Sequence, residues 1–192
     1  MCESLRHLER LPCGKLRDCI DMLAILFAAS NLGPIGRPSL STLIGIGEKR
    51  VRNLVAKLRS AGLVKASRAG ITSDGMQGVL CLSSGGYTIA LAACSRAVAE
   101  LMLRSIVALR DKLVILTGSP AILEVIGYID SNGATVFPGL GLELSEKYAR
   151  LVSEIGSRET CRSVGGCLVA VFNLPDCYRC CASFLQALAM SG

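Results

Sequence analysis

Residues 39–64, SLSTLIGIGEKRVRNLVAKLRSAGLV, have the pattern of two short helices joined by a tight turn. The second helix carries apolar residues at spacings i, i+3, i+4 and i+7, from Val51 to Leu58, and this stripe is expected to face a core. A Gly-Ile-Gly turn places Ile46 to fill the gap between the two helices. Gly62 ends the second helix as a C-terminal cap. The stretch therefore predicts a helix-turn-helix.

The opposite face of the second helix is basic. It carries Lys49, Arg50, Arg52, Asn53, Lys57 and Arg59. The N-terminal half of a recognition helix enters the major groove, where Lys and Arg pair with guanine and Asn with adenine. We therefore expect Lys49, Arg50 and Asn53 to contact bases. The residues expected to contact phosphates are Arg37, Ser39, Ser41, Arg52, Lys57, Lys65 and Arg68.

The flanking sequence completes a small domain around these two helices. Apolar residues at helical spacing predict a supporting helix over residues 16–31, which an Asn-Leu-Gly-Pro sequence ends. After the second helix, residues 63–67 and 71–72 are strand-like and residues 68–70 form a turn. Three helices followed by a basic hairpin predict a winged helix that binds double-stranded DNA. A winged helix used for protein contacts is the alternative.

Several segments of this domain resemble the winged-helix module of archaeal transcription regulators. They are Ile46-Gly47-Glu48, Val51-Arg52, Leu58-Arg59, Gly62-Leu63-Val64 and Ile71-Thr72 with Gly75. Further along, Arg110-Asp111 and residues 130–133 and 137–139 resemble an archaeal two-domain family. That family joins the winged helix to a C-terminal domain of uncharacterised function. The resemblance implies a transcription regulator and supplies no catalytic residue.

The remainder of the chain predicts a second, α+β domain. Residues 76–82 are expected to form a short helix and residues 83–86 a linker, so the predicted domains are 1–82 and 87–192. The predicted elements, in chain order, are a strand 87–93, a helix 96–116, strands 121–129 and 134–137, a helix 145–155, a strand 167–173 and a helix 176–190. This βαββαβ order with a terminal helix predicts a ferredoxin-like domain.

Charge separates the two parts of the chain. Residues 1–70 carry 12 Lys and Arg against 5 Asp and Glu, whereas residues 71–192 carry 9 against 10, giving the net charge of +6. A basic part joined to a near-neutral part is typical of a polyanion-binding module followed by a domain with another role, although a solvated basic surface has the same composition. No secretory signal or membrane span is apparent, which predicts a cytoplasmic protein.

The second domain offers only weak candidates for a ligand site. For a small-molecule effector these are Arg110, Asp111, Gly139 and Gly141. The ten cysteines include four that could bind a metal, Cys161, Cys167, Cys177 and Cys181. Disulfides and core packing are the alternatives for these cysteines. Core packing is favoured because Cys177, Cys180 and Cys181 fall on the predicted last helix among apolar residues, where a cysteine acts as a small buried apolar side chain.

These observations predict a DNA-binding transcriptional regulator. Its winged helix is expected to bind an operator, and its C-terminal domain to sense a small ligand or to dimerise. No cofactor is predicted, and no catalytic constellation is visible, since the single histidine lies in the N-terminal segment. The alternatives are a cytosolic enzyme or a complex-forming protein that uses the winged helix as a docking module.

Overall fold

The computed structural model describes residues 2–154, 161 and 165–191 and has an α+β fold. The helices are α1 (Leu16–Asn31), α2 (Arg37–Ile44), α3 (Glu48–Ser60), α4 (Arg96–Arg104), α5 (Ile106–Thr117), α6 (Leu142–Glu154) and α7 (Tyr178–Ala189), with 3-10 helices at Glu3–Arg10 and Pro120–Ile122. The strands are β1 (Lys65–Ser67), β2 (Gly70–Thr72), β3 (Val79–Ser84), β4 (Tyr87–Ala93), β5 (Leu123–Asp130), β6 (Thr135–Val136) and β7 (Gly166–Phe172). Within the described residues, no helix is long and apolar enough to cross a membrane.

Helix α1 lies at the centre of the larger hydrophobic core. Every residue from Ile20 to Ala29 is buried, so the helix is covered on all sides rather than on one face. It packs against α3 on one side and against α7 on another. Leu16, the first residue of the helix, is 42% exposed. The N-terminal helices and the last helix of the chain therefore share one core.

Two helices, α2 and α3, are present where the sequence predicts them, with a tight turn between them. Gly45 adopts a left-handed conformation with φ of 71° and ends α2, and Gly47 precedes the first residue of α3. Ile46 between them is buried at 7% exposure, as the sequence predicts. Strands β1 and β2 follow as an antiparallel hairpin with Arg68 and Ala69 at its tip. A bridge between Ile35 and Ile71 attaches this hairpin to the segment preceding α2.

The second sheet has five antiparallel strands in the order β3-β4-β7-β5-β6. Strands β4 and β7 are its most buried members. Helix α7 packs against β4 and α5, on the side that faces α1, whereas Tyr148 and Val152 of α6 belong to a second hydrophobic cluster. The sheet is therefore covered by helices on both faces.

Two predictions about this sheet are wrong. Residues 79–84 form the strand β3 rather than part of a helix, because their side chains alternate in burial and the strand pairs with β4 along its whole length. Residues 83–86, predicted as a linker, are the end of β3 and the turn of this hairpin. The strand order also differs from a ferredoxin-like sheet: the last strand, β7, lies between the first and second strands of the βαββαβ series, where that fold has the third.

Helix boundaries in this part differ from the prediction in two places. The helix predicted over residues 96–116 is interrupted at Ser105, whose φ of −109° and ψ of 32° lie outside the helical range. Leu101, on α4 before this break, is 67% exposed. Helix α6 begins at Leu142 rather than at Ser145, and residue 155, its predicted end, lies outside the described residues.

All ten cysteines are paired in disulfides. The pairs are Cys2–Cys94, Cys13–Cys19, Cys81–Cys181, Cys161–Cys167 and Cys177–Cys180. The favoured expectation of plain core packing is therefore wrong. The first and third pairs join positions 92 and 100 residues apart and hold the sheet to the N-terminal segment and to α7. Disulfides that close such long loops constrain the unfolded chain most strongly.

Candidate nucleic-acid interface

The spacing of the apolar residues of α3 determines which of its side chains are exposed. Its buried residues are Val51, Leu54, Val55 and Leu58, each between 0% and 6% exposed. Since these four occupy one stripe of the helix, the polar positions between them point to solvent. Lys49, Arg52 and Asn53 are exposed and follow one another at helical spacing, so they share one face near the N-terminus of α3.

A groove of about 600 Å³ separates this face of α3 from the β1–β2 hairpin. Four arginines from three different elements line it: Arg37 at the start of α2, Arg52 and Arg59 on α3, and Arg68 at the tip of the hairpin. All four are exposed. The floor is apolar and includes Val55 and Ile71.

The arginine groove, as we call these four residues and the space between them, carries uncompensated positive charge. None of the residues that the structure describes forms a salt bridge with any of the four guanidinium groups. No acidic side chain from the described part of the chain lines the groove. Four guanidinium groups converging without a carboxylate produce a strong local positive potential, which attracts a polyanion.

Gly70 fixes the position of the hairpin beside α3. Its φ is +135°, a conformation that L side chains rarely adopt, and a Cβ atom there would lie 2.9 Å from the backbone nitrogen of Ile35 and 2.9 Å from the carbonyl carbon of Pro34. This close approach permits the two backbone hydrogen bonds between Ile35 and Ile71, of 3.0 and 2.9 Å. The hairpin, and with it Arg68, is thereby fastened to the segment that begins α2.

Arg50 is not exposed as the sequence predicted. Its Nη2 atom lies 2.7 Å from Asp18 Oδ1 and its Nε atom lies 2.7 Å from Asp21 Oδ2, both on α1. Asp21 is fully buried, and its other oxygen lies 3.4 Å from Nη2 of Arg179 on α7. Arg50 therefore stabilises a buried carboxylate at the junction of three helices, and its guanidinium group is engaged within the protein.

Other predicted contact residues differ in how freely their side chains are presented. Ser41 is half-buried and its Oγ donates a hydrogen bond to the carbonyl oxygen of Ile46, at 2.5 Å, so it stabilises the turn. Lys65 lies 3.5 Å from Asp74, and this exposed pair partly offsets its charge. Ser39 and Lys57 are exposed.

Arg59 lines the groove but is not among the residues that the sequence predicts to contact bases or phosphates. It lies seven residues after Arg52, which is two helical turns, so both side chains lie along the same edge of α3. The spacing of Arg52 and Arg59 therefore indicates that they share an edge of α3. Which edge faces the hairpin depends on tertiary packing.

A second, smaller cavity of about 260 Å³ lies between α5 and β5. Arg110, one of the predicted effector-binding residues, lines it. Gly139 is not among the lining residues, although its neighbours Pro138 and Leu140 are. Asp111 and Gly141 are exposed and do not line it. The walls are mostly apolar, and Glu124 is the one carboxylate among its described lining residues.

Glu124 is held in place by Tyr148 of α6. The Tyr148 hydroxyl donates a hydrogen bond to the Glu124 carboxylate. Burial, together with this hydrogen bond, raises the pKa of the Tyr148 hydroxyl above its ordinary value. The phenol therefore stays protonated and remains a donor at neutral pH. The cavity thus combines an apolar wall with one cation, Arg110, and one fixed anion.

The four cysteines considered as metal ligands do not form a thiolate cluster. Cys161 pairs with Cys167, Cys177 with Cys180, and Cys181 with Cys81. A disulfide sulfur is not the thiolate that zinc binds, so the oxidised protein has no such ligands at these positions. Among the residues that the structure describes, no group of three or more His, Cys, Asp or Glu side chains is placed to hold a metal ion.

Comparison with known proteins gives one structural likeness. No family model matches the chain, and no curated protein matches it. The fold is similar to that of a hypothetical protein from Pyrococcus horikoshii, with a TM-score of 0.55 and 17% sequence identity over 90% of this chain and 91% of that one. At this identity the likeness concerns the fold alone, and it extends over nearly the whole of both chains.

Proposed function

We propose that this protein is a DNA-binding transcriptional regulator and that α1, α2, α3 and the β1–β2 hairpin act as a winged helix. The observation that carries the proposal is the arginine groove, in which four guanidinium groups from three elements, none of them paired with a carboxylate of the described residues, lie beside the exposed face of α3. Phosphate contacts of this kind supply most of the affinity of proteins for duplex DNA.

The assignment of roles follows from position along α3. Lys49 and Asn53 lie in the N-terminal half of the helix and are exposed, so they are the base-contacting residues in this proposal. Arg59 lies in the last turn, facing the hairpin groove, and contacts phosphate together with Arg37 and Arg68. Arg50 contacts neither, because Asp18 and Asp21 hold its guanidinium group.

Dimerisation would give the regulator two recognition helices. A two-fold dimer places them in successive major grooves about 34 Å apart. Helices α4 and α5 support this part of the proposal, since Leu101, Val107 and Ile115 are 67%, 66% and 78% exposed. A second copy covering these side chains would remove apolar surface from water.

The cavity beside Arg110 is the proposed effector site. It would take a small molecule with an apolar body, an anionic group for Arg110 and a cationic or hydrogen-donating group for Glu124. Because α5 contributes to both this cavity and the exposed apolar surface, a bound effector could change the dimer and thereby the spacing of the recognition helices. The proposed location is the cytoplasm. Five disulfides are compatible with this location in an organism whose intracellular proteins keep their disulfides, as those of hyperthermophiles do.

The test is a titration of a fluorescently labelled DNA duplex of random sequence with the protein, in which the fluorescence anisotropy of the duplex reports binding. The wild-type protein is expected to bind, and the Arg52→Glu/Arg59→Glu variant to lose at least ten-fold in affinity, since it replaces two cations of the groove by anions. Arg104→Glu/Arg150→Glu, which changes two exposed arginines outside the groove, is the control matched in charge. Equal loss in both variants, or no binding by the wild type, would contradict the proposal.

A further inference from the structure

The first turn of α7 carries a Cys-x-x-Cys sequence that the regulator function does not use. Cys177 is the residue that precedes α7 and Cys180 lies in its first turn, and the two form a disulfide. The adjacent Cys181 pairs separately with Cys81 of β3. This end of the helix therefore has two neighbouring disulfides.

The two sulfurs of the Cys177–Cys180 pair differ in access. Cys177 is half-buried, whereas Cys180 is 1% exposed. A reagent from solution therefore reaches Cys177 first, and the buried Cys180 is the leaving group. Three of the other pairs have both members buried at 3% exposure or less; these are Cys2–Cys94, Cys81–Cys181 and Cys161–Cys167. Disulfide exchange requires access to a sulfur, so these three pairs are protected.

Stability does not account for the Cys177–Cys180 disulfide. Its two cysteines are three residues apart in sequence, whereas those of Cys81–Cys181 are 100 apart. In the chain-entropy account a disulfide stabilises a protein more when it closes a longer loop. The shortest loop in the chain thus restricts the unfolded state least.

The surroundings of Cys177 favour its thiolate. The N-terminus of α7 presents the positive end of a helix dipole to this position. The Cys177 backbone N–H donates a 2.9 Å hydrogen bond to Thr88 Oγ1, which fixes the residue on β4. Stabilisation of the thiolate makes the reduced state more accessible and the disulfide more oxidising.

We propose that the Cys177–Cys180 disulfide is a redox-active site that exchanges with an external dithiol. A thiolate of the dithiol attacks Sγ of Cys177, the Cys177–Cys180 bond breaks, and Cys180 leaves as a thiolate. The second thiol of the reductant then attacks its own sulfur in the mixed disulfide and releases Cys177. Two electrons pass to the protein, the two protons of the dithiol end on Cys177 and Cys180, and the reductant leaves as a disulfide.

The test is a redox titration of the full chain. The protein is equilibrated in buffers of graded ratios of reduced to oxidised dithiothreitol and alkylated with iodoacetamide, and each cysteine is then quantified by peptide mass spectrometry. Cys177 and Cys180 are expected to become alkylated together, at a ratio at least ten-fold lower than the other four pairs require. Cys13–Cys19, the other pair with half-buried members, is the internal control. Reduction of Cys177–Cys180 together with the control pair, or after it, overturns the proposal.

A second measurement separates a redox role from a structural one. The Cys177→Ser/Cys180→Ser variant is expected to fold and to lose no more than about 7 °C in Tm, because the loop it opens is short. A variant that fails to fold, or loses much more than this, shows that the disulfide is structural. Reduced thioredoxin replaces dithiothreitol in a parallel titration, and selective reduction by either dithiol supports the site.

Discussion

Replacing Gly70 by alanine tests how the hairpin is fastened beside α3. The new Cβ atom would lie 2.9 Å from two backbone atoms of the 34–35 segment, and backbone cannot move aside as a flexible side chain can. A non-glycine residue at φ of +135° costs about 1–3 kcal/mol. Loss of the two hydrogen bonds between Ile35 and Ile71 adds about 1–2 kcal/mol. The free energy of unfolding is therefore expected to fall by about 2–5 kcal/mol.

The assay is guanidinium chloride denaturation followed by circular dichroism, with Gly14→Ala as the matched control. No heavy atom lies within 4 Å of a Cβ built at Gly14, so this variant is expected to be neutral or more stable by about 0.4–1 kcal/mol. DNA affinity provides a second readout, because a displaced hairpin moves Arg68 away from α3. Equal stability of the two variants would refute the reasoning about Gly70.

Three further predictions concern the arginines and Asn53. Removing both Arg52 and Arg59 side chains is expected to lower the slope of log affinity against log salt by about 1.8, as two lost phosphate contacts require; a slope equal to that of the wild type in a salt titration would contradict this. In binding to a panel of single-base operator variants, Asn53→Ala should cost about 1–3 kcal/mol on the preferred sequence and relax the preference at one position, while Arg68→Ala should weaken all sequences alike. Arg50→Ala should lower the free energy of unfolding by about 1.5–3 kcal/mol, because the buried carboxylate of Asp21 loses a charged hydrogen-bond partner. Chemical denaturation measures this change, and an unchanged free energy of unfolding would contradict a stabilising role for the Arg50–Asp21 pair.

The parts of the fold predicted correctly are those that local sequence determines. The helix Leu16–Asn31 and the strand Tyr87–Ala93 have the predicted bounds, since periodicity and stop signals lie within each segment. Strands β5 and β6 likewise pair across a turn that contains Asn132-Gly133, a dipeptide that locally favours a hairpin.

The incorrect parts depend on contacts between distant segments. Strand β7 pairs with both β4 and β5, and no local pattern specifies which strand is inserted between two others. Strand β3 is a related case, since its six residues are too few for a strand pattern to be distinguished from a helical one in the sequence. Two of the five cysteine pairs are also long-range, and connectivity does not follow from the positions of ten cysteines in a sequence.

The candidate interface was predicted in outline but not residue by residue. The basic face of α3 follows from the positions of its apolar residues, which the sequence gives directly. The different environment of Arg50 does not follow from these positions. It depends on Asp18 and Asp21 of α1, about 30 residues earlier in the chain, which bind its guanidinium group. Identical charges on one helix thus have different roles according to which side of the helix a carboxylate approaches.

The central claim is best tested by selection from a library of random DNA duplexes at near-physiological salt. Repeated binding to the purified protein, followed by sequencing of the retained duplexes, reports both affinity and sequence preference. The account predicts enrichment of a palindrome whose half-sites lie about one helical turn apart, as two recognition helices of a two-fold dimer require. Retention without any enriched sequence, or no retention, would contradict a sequence-specific regulator.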